Sequence, residues 1–153
     1  MIFPQTNKIE YKERKYRNLI EEKDLIPFQV KEAESDLYIK TNRELSFYAR
    51  QVLLNFRRQI ENYIENNPLF ESTLLPYLQN DKAPDIISSM IQIASRCGVG
   101  PMAAVAGAIA EFVGKELLNY SSEVIIENGG DIFIKSSKIR KVSIFAGSSP
   151  LSQ

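Results

Sequence analysis

Two glycine-containing segments are the parts of this sequence best suited to hold a ligand. The first, "CGVGPMAAVAGAIAE" (97–111), consists mainly of small and apolar residues. The second, "ENGGD" (127–131), ends in a residue with a carboxylate. Glycine has no side chain, so a ligand can approach the backbone closely. Unpaired N–H groups at the start of a helix attract phosphate or carboxylate, and Asp131 could bind a hydroxyl, an amine or a metal ion. The chemistry that these segments predict is therefore ligand binding.

The first segment has the pattern of a helix start. Gly100 and Pro101 fit the N-cap and the first helical position, which leaves the N–H groups of Met102, Ala103 and Ala104 as donors for an anion. The nucleotide-binding GxGxxG pattern is incomplete, because Ala103 occupies its third glycine position and no strand directly precedes it. A phosphate-binding Walker sequence is also missing.

Packing is the competing interpretation of the same segment. No side chain is charged from 99 to 110, so most of the helix surface is apolar and should be buried. Gly107 costs about 1 kcal/mol relative to alanine inside a helix, and close packing against a sheet or a helix would offset that cost. Packing and ligand binding both remain open, and they are compatible.

The second segment allows the same two interpretations. Asn128, Gly129 and Gly130 between "EVIIE" and "IFIK" are typical of a tight hairpin, whose turn needs positive φ. Alternatively, the glycines admit a ligand to the backbone and Asp131 binds it. One carboxylate is too few for a divalent metal site.

Composition excludes several classes of protein. The chain has 153 residues, which suits a single domain over 1–153, and its 19 basic residues balance 19 acidic ones, so net charge does not predict nucleic-acid or membrane binding. It has no histidine and one cysteine, Cys97, which excludes a serine-histidine triad, histidine-ligated metals and intrachain disulfides. Cys97 is expected to be a buried small hydrophobe. The N-terminus lacks a signal-peptide core, and no apolar run reaches the roughly 18 residues of a membrane span, so we expect a cytoplasmic protein.

The elements that would position these segments follow from hydrophobic periodicity. The sequences "RKYRNLI", "IPFQVKEA" and "DLYIKT" predict strands, as do "EVIIE", "IFIK" and "KVSIFAG". Three helices are predicted between these groups, one after a capping box of Thr41 and Glu44, one over 84–97 that stops at Gly98, and one over 101–118. A short helix is predicted within the connection "PLFESTLLPYLQNDKAP". Because strands cluster in sequence, the fold class is α+β with a largely antiparallel sheet backed by helices.

The two glycine segments together resemble a known family. "GVGPMAAVAGAIAE" followed by "EVIIENGGDIFI", with "APDIISSMIQIASRCG" before them, is similar to an uncharacterised family of the ApbE-like superfamily. This resemblance implies a T-fold-type domain. ApbE proteins bind FAD and, with Mg²⁺, transfer its FMN portion to a threonine or serine of a target protein. The resemblance places these residues along a cofactor pocket: Gly98, Gly100, Pro101, Met102, Ala103, Gly107, Asn128, Gly129, Gly130 and Asp131.

The sequence departs from the ApbE pattern in two respects. Val105 and Ala106 stand where ApbE proteins have a lysine, and the chain ends before the region that binds metal in those proteins. The chain therefore reads as a domain truncated at its C-terminus. A sheet cut after "KVSIFAG" would expose a strand edge, which predicts a homo-oligomer.

Three functions are compatible with these observations. The first is an ApbE-like FMN transferase that binds FAD with Mg²⁺. The second is a non-catalytic domain that binds a cofactor or metabolite, favoured by the missing lysine and metal region. The third is a structural oligomerisation module whose glycines serve packing only.

Overall fold

The computed structural model of the protein describes residues 24–78 and 82–142. The chain divides into a compact unit of residues 23–140 and a second unit of residues 1–22 with 141–153. The sheet and the helices that pack on it belong to the first unit. The predicted strand "RKYRNLI" and residues 143–147 of "KVSIFAG" lie outside the described residues.

A four-stranded antiparallel sheet forms one layer of this unit. Its strands are β1 (Ile26–Glu32), β2 (Ser35–Thr41), β3 (Val124–Asn128) and β4 (Asp131–Lys135), and they lie side by side in that order. The pairs β1–β2 and β3–β4 are hairpins, whereas β2 and β3 are adjacent although all the helices separate them in sequence. The predicted strands "IPFQVKEA", "DLYIKT", "EVIIE" and "IFIK" are thus confirmed.

The β3–β4 hairpin has the tight turn that its glycines predict. Asn128 pairs with Asp131, and the two residues between them have positive φ, 65° at Gly129 and 106° at Gly130. This combination fits the hairpin turns whose twist matches that of the strands. The hairpin interpretation of this segment is confirmed.

Helices form the second layer. They are α1 (Ser46–Asn66), α2 (Pro68–Ser72), α3 (Asp85–Arg96) and α4 (Val105–Leu117), and a 3₁₀ turn, Pro101–Ala104, precedes α4. Gly98 follows α3 with φ of 71°, as the predicted helix stop requires. The α+β class with helices packed on an antiparallel sheet is therefore confirmed.

The predicted capping box at the start of α1 is wrong. Thr41 is the buried last residue of β2, and its hydroxyl donates to the carbonyl of Arg43 at 2.5 Å instead of receiving a helix N–H. The carboxylate of Glu44 accepts the N–H of Ser46 at 2.9 Å, and Leu45 is the N-cap. Thr41 is paired within the sheet, and α1 begins later than the sequence predicts, at Ser46.

The core lies between the inner face of the sheet and the helices. Leu37 and Ile39 of β2 and Val124 and Ile126 of β3 are fully buried, and each such side chain contributes roughly 1.5–3 kcal/mol on burial. They pack against buried residues of the helices, among them Leu53, Ile86, Met90, Val113 and Leu117. Helix α4 contacts α1, α3, β3 and β4, which makes it the central helix of this layer.

In the part of the chain that the structure describes, no single helix is long and apolar enough to cross a membrane. Together, Asp85–Arg96 and Pro101–Leu117 meet the length and composition of a span, but they are bent by 105° at their break.

Candidate functional site

The two glycine segments meet where α4 passes the β3–β4 hairpin. The Asn128 side chain is buried, and its Nδ2 donates to the Ala106 carbonyl at 3.0 Å. An ideal Cβ built on Gly107 would lie 3.6 Å from Oδ1 of Asp131. At Gly107 the Asp131 side chain is thus within ordinary van der Waals contact of the helix. The two segments, which residues 112–126 separate in sequence, therefore share one surface.

A cavity of about 400 Å³ opens on this surface. It is lined by the end of α3 and the following loop, by the 3₁₀ turn and the first half of α4, and by the start of β4. Its larger apolar side chains are Ile93, Val99, Ile132 and Phe133. Its small residues are Ala94, Ala103, Ala104, Gly107 and Ala108, and its polar side chains are Cys97, Glu111 and Asp131.

Three of the predicted site residues line this cavity: Ala103, Gly107 and Asp131. Gly107 leaves room for a methyl group, since the three atoms nearest its ideal Cβ position all belong to the Asp131 side chain and lie at 3.6–3.9 Å, which is ordinary contact. The predicted proximity of the two segments therefore exists, and it is centred on Gly107.

The remaining predicted residues of the first segment lie outside the cavity lining. Gly98 ends α3, and Pro101 is buried. An ideal Cβ on Gly100 would lie 1.9 Å from the carbonyl oxygen of Thr73, so this glycine serves close backbone packing. Met102 packs against the hydrophobic core as a partly buried residue.

The remaining predicted residues of the second segment have structural positions. Gly129 and Gly130 form the hairpin turn, and nothing lies within 4 Å of an ideal Cβ on either. Asn128 connects the end of β3 to α4 through the Ala106 carbonyl. The cavity therefore takes from this segment only the residue at its end, Asp131, together with the two residues that follow.

The helix start does not offer the full set of donors that the sequence predicts. The N–H of Ala103 donates to the Gly100 carbonyl at 3.1 Å, because the chain enters α4 through a 3₁₀ turn. The N–H of Val105 likewise donates to the Met102 carbonyl. A 3₁₀ turn pairs residues three apart, so it uses amides that an α-helical start would leave unpaired.

The electrostatics of the cavity are acidic. Among residues 24–78 and 82–142, its lining includes the carboxylates of Glu111 and Asp131 and no lysine or arginine. Glu111 Oε1 forms an ion pair with Lys115 Nζ at 2.6 Å. Asp131 is exposed, and among the described residues its carboxylate has no hydrogen bond or ion pair. The structure of residues 24–78 and 82–142 contains no group of three acidic or thiol side chains that could hold a metal ion.

The prediction that Cys97 is buried is wrong. Cys97 is exposed and lines the cavity, as does Ile93, which is 42% exposed. The buried stripe of α3 consists of Ile86, Ile87, Met90, Ile91 and Ala94. Cys97 is the C-cap of α3, and the chain turns away from the core immediately afterwards at Gly98.

Sequence reasoning also missed Glu111, although a signal for it exists. Glu111 lies one turn after Gly107, and residues four apart on a helix share a face. It is the first charged side chain after the long uncharged run, so its position at the rim of the cavity could have been inferred.

A second polar cluster lies at the other end of β3. The Glu123 carboxylate is buried and forms an ion pair with the Arg140 guanidinium. The hydroxyls of Ser136 and Ser137 donate to it at 2.6 and 2.8 Å, and Arg140 also pairs with Asp24 at 2.9 Å. The bond from Arg140, followed by those from the serines, lowers the pKa of Glu123 from 4.5 to about 2. This cluster fixes the segment after β4 to the start of β3.

Comparison with known proteins places this chain in a family. The family model described as "AbpE bacteria" matches residues 17–153. A UPF0280 protein of Methanothrix thermoacetophila is 44% identical over 105 residues, which cover 67% of this chain and 44% of that protein. A UPF0280 protein of Methanococcus vannielii is 39% identical over 121 residues, which cover 78% of this chain and 49% of that protein. The chain thus spans less than half the length of these relatives.

These matches correct the resemblance to the ApbE-like superfamily. The relatives carry the name UPF0280 protein, and neither they nor the family match connects the chain to the flavin transferases. Except for Gly107, which lines the cavity, the glycines of the matching segments are accounted for by a helix stop, a backbone contact and a hairpin turn. The chain belongs to the family described as "AbpE bacteria", and its UPF0280 relatives form a family distinct from the ApbE-like superfamily.

Proposed function

We propose that this protein binds a small organic molecule in the cavity between α3, α4 and β4, as a non-catalytic ligand-binding domain. The observation that carries the proposal is the meeting of Gly107 with Asp131 at a cavity of about 400 Å³. Ligand sites are typically concave and mostly apolar, with a few polar groups, and span roughly 300–1,000 Å³. The lining of this cavity is likewise mostly apolar, with Cys97, Glu111 and Asp131 as its polar side chains.

The lining does not fit a flavin dinucleotide. The two phosphate groups of FAD are negatively charged, and so are the carboxylates at the cavity, Glu111 and Asp131. The lining would therefore repel the phosphates. Phosphoryl transfer depends on cations that neutralise developing charge, and none of the described residues that line the cavity is a lysine or an arginine. FAD with Mg²⁺ and FMN transfer were implied by the ApbE resemblance alone, and we do not propose them.

Cys97 provides a direct test of binding. It is the single cysteine of the chain and lines the cavity, so its alkylation by neutral iodoacetamide reports on whether the cavity is occupied. Benzyl alcohol is a suitable first probe, because it is uncharged and small enough for the volume. We expect it to slow alkylation of Cys97 saturably and to shift the amide resonances of Gly107 and Asp131.

Two variants test whether the probe binds at this place. Gly107→Leu places a large side chain in the cavity. Ala103→Leu also does this, from an exposed position where a substitution disturbs folding less. Both should abolish protection of Cys97, whereas Gln51→Leu on the exposed surface of α1 should retain it. Protection that persists in both cavity variants would contradict the proposal.

Two further predictions concern the whole protein. A cytoplasmic location and homo-oligomer formation stay predictions from the sequence, and the strand edge on which the second was based lies outside the described residues. Sedimentation velocity at several protein concentrations would test self-association.

A further inference from the structure

We infer that the ligand of this cavity is an organic cation, an amine with an apolar body, an inference that rests on the proposed function. It follows from which charges line the cavity and which of them already have partners. Among the described residues, both ionic side chains of the lining are carboxylates. A ligand bound in the cavity therefore meets negative charge from these lining side chains.

Asp131 is the group expected to contact the cation. Its carboxylate has no hydrogen-bond or ion-pair partner among the described residues, and it lies 3.6 Å from the ideal Cβ position of Gly107. The neighbouring Asn128 does not line the cavity, and its Nδ2 donates to the Ala106 carbonyl. The side chain that remains to bind a ligand is therefore an acceptor with a negative charge.

Glu111 contributes a weaker second charge. Its Oε1 is paired with Lys115, whose Nζ lies 5.3 Å from the centre of the Phe112 ring and is not part of the lining. This pair partly neutralises Glu111 without placing a cation in the cavity. The net charge of the lining therefore stays negative.

The remaining lining defines the body of the ligand. Ile93 and Val99 are 42% and 37% exposed, and they face the cavity together with Phe133. An apolar group that covers exposed apolar side chains removes their surface from water, which favours binding. An amine whose carbon framework contacts these residues and whose nitrogen contacts Asp131 satisfies both requirements.

A matched set of probes tests the charge of the ligand. Benzylamine, benzyl alcohol and benzoate share a ring and carry a positive, a zero and a negative charge at pH 7. Each is titrated into the full chain, with Cys97 alkylation and the Gly107 amide resonance as readouts. We expect benzylamine to bind most tightly and benzoate most weakly, with the preference for benzylamine reduced by added salt.

Asp131→Asn removes the charge and keeps the shape. It should weaken benzylamine binding about threefold to fivefold, as expected for an exposed ion pair, and leave benzyl alcohol unchanged. Glu65→Gln, on the exposed surface of α1, is the control and should change neither affinity. If benzoate binds as well as benzylamine, or if Asp131→Asn leaves benzylamine unaffected, the charge inference is wrong while binding stands. If none of the three probes protects Cys97 at millimolar concentration, the proposed function itself fails.

Discussion

A methyl group on Gly114 would lie 2.2 Å from Cδ1 of Phe133, well inside van der Waals contact. This glycine is buried in α4, and it is the one of the two α4 glycines that lies closer to β4. At Gly107, two turns earlier, the nearest atom to an ideal Cβ is 3.6 Å away, which is ordinary contact. The close approach that the sequence suggested for Gly107 therefore occurs at Gly114.

Gly114→Ala should destabilise the protein, and Gly107→Ala should not. Overpacking costs about 1–3 kcal/mol, from which about 1 kcal/mol of improved helix propensity is subtracted at Gly114. At Gly107 the propensity gain of up to about 1 kcal/mol should remain, because the site has room. Urea unfolding of both variants checks the opposite signs. Equal stabilisation by the two substitutions would show that the Phe133 ring does not constrain α4.

Gly100→Ala should be more damaging than Gly98→Ala. The new methyl at Gly100 would meet the Thr73 carbonyl oxygen at 1.9 Å, and that atom belongs to the backbone, so we expect a loss above about 2 kcal/mol. Gly98 has open space but φ of 71°, which costs a non-glycine residue about 1 kcal/mol. Thermal unfolding of both variants gives the order. A larger loss of stability in Gly98→Ala than in Gly100→Ala would contradict the close contact between Gly100 and the Thr73 carbonyl.

Asn128→Ala should loosen the junction between the hairpin and α4. It removes the 3.0 Å bond that the Asn128 side chain donates to the Ala106 carbonyl, at a cost of about 1–3 kcal/mol. Amide hydrogen exchange should become faster in the first turns of α4, while the far end of the helix keeps its protection. Asn119→Ala, at an exposed position after α4, is a control that should change neither stability nor exchange. Unchanged exchange in Asn128→Ala would mean that this bond does not hold the helix start.

Stability should fall in acid partly because Glu123 is ion-paired. Its pKa is lowered from 4.5 to about 2, so between these values the unfolded chain binds more protons than the folded one. The stabilisation is therefore complete above pH 4.5 and is lost as pH falls towards the pKa of the folded state. Urea midpoints measured from pH 6 to pH 2 should decline less steeply in Glu123→Gln than in the original protein.

The matched control for this pH dependence is Glu65→Gln. Glu65 is exposed, so its substitution should leave the slope of stability against pH unchanged. The comparison between the two variants is needed because Arg140 and Lys138 also lower the pKa of Asp24, which therefore contributes in the same direction. Identical slopes in all three proteins would show that Glu123 is not held in its ion pair.

Local sequence signals were sufficient for most elements. Periodicity located both hairpins' strands and the helices α1, α3 and α4, because burial of one face repeats at the spacing of each element. The turn at Gly129 and Gly130 was also predictable from local sequence, because glycine tolerates the positive φ that such a turn needs. The capping box failed because Thr41 belongs to β2, and its pairing with Val124 depends on a strand more than eighty residues later.

Some features of the candidate site likewise follow from the sequence, and others depend on the tertiary structure. The residue types alone determined that this chain has two glycine segments with a carboxylate, no histidine and one thiol. Only the pairing of β2 with β3 and the packing of α4 on β4 decided that Gly107 faces Asp131, that Gly114 supports Phe133, and that Cys97 lies at a cavity. Those relationships join residues distant along the chain, and the energy that selects them is the burial of one shared core, which no local pattern contains.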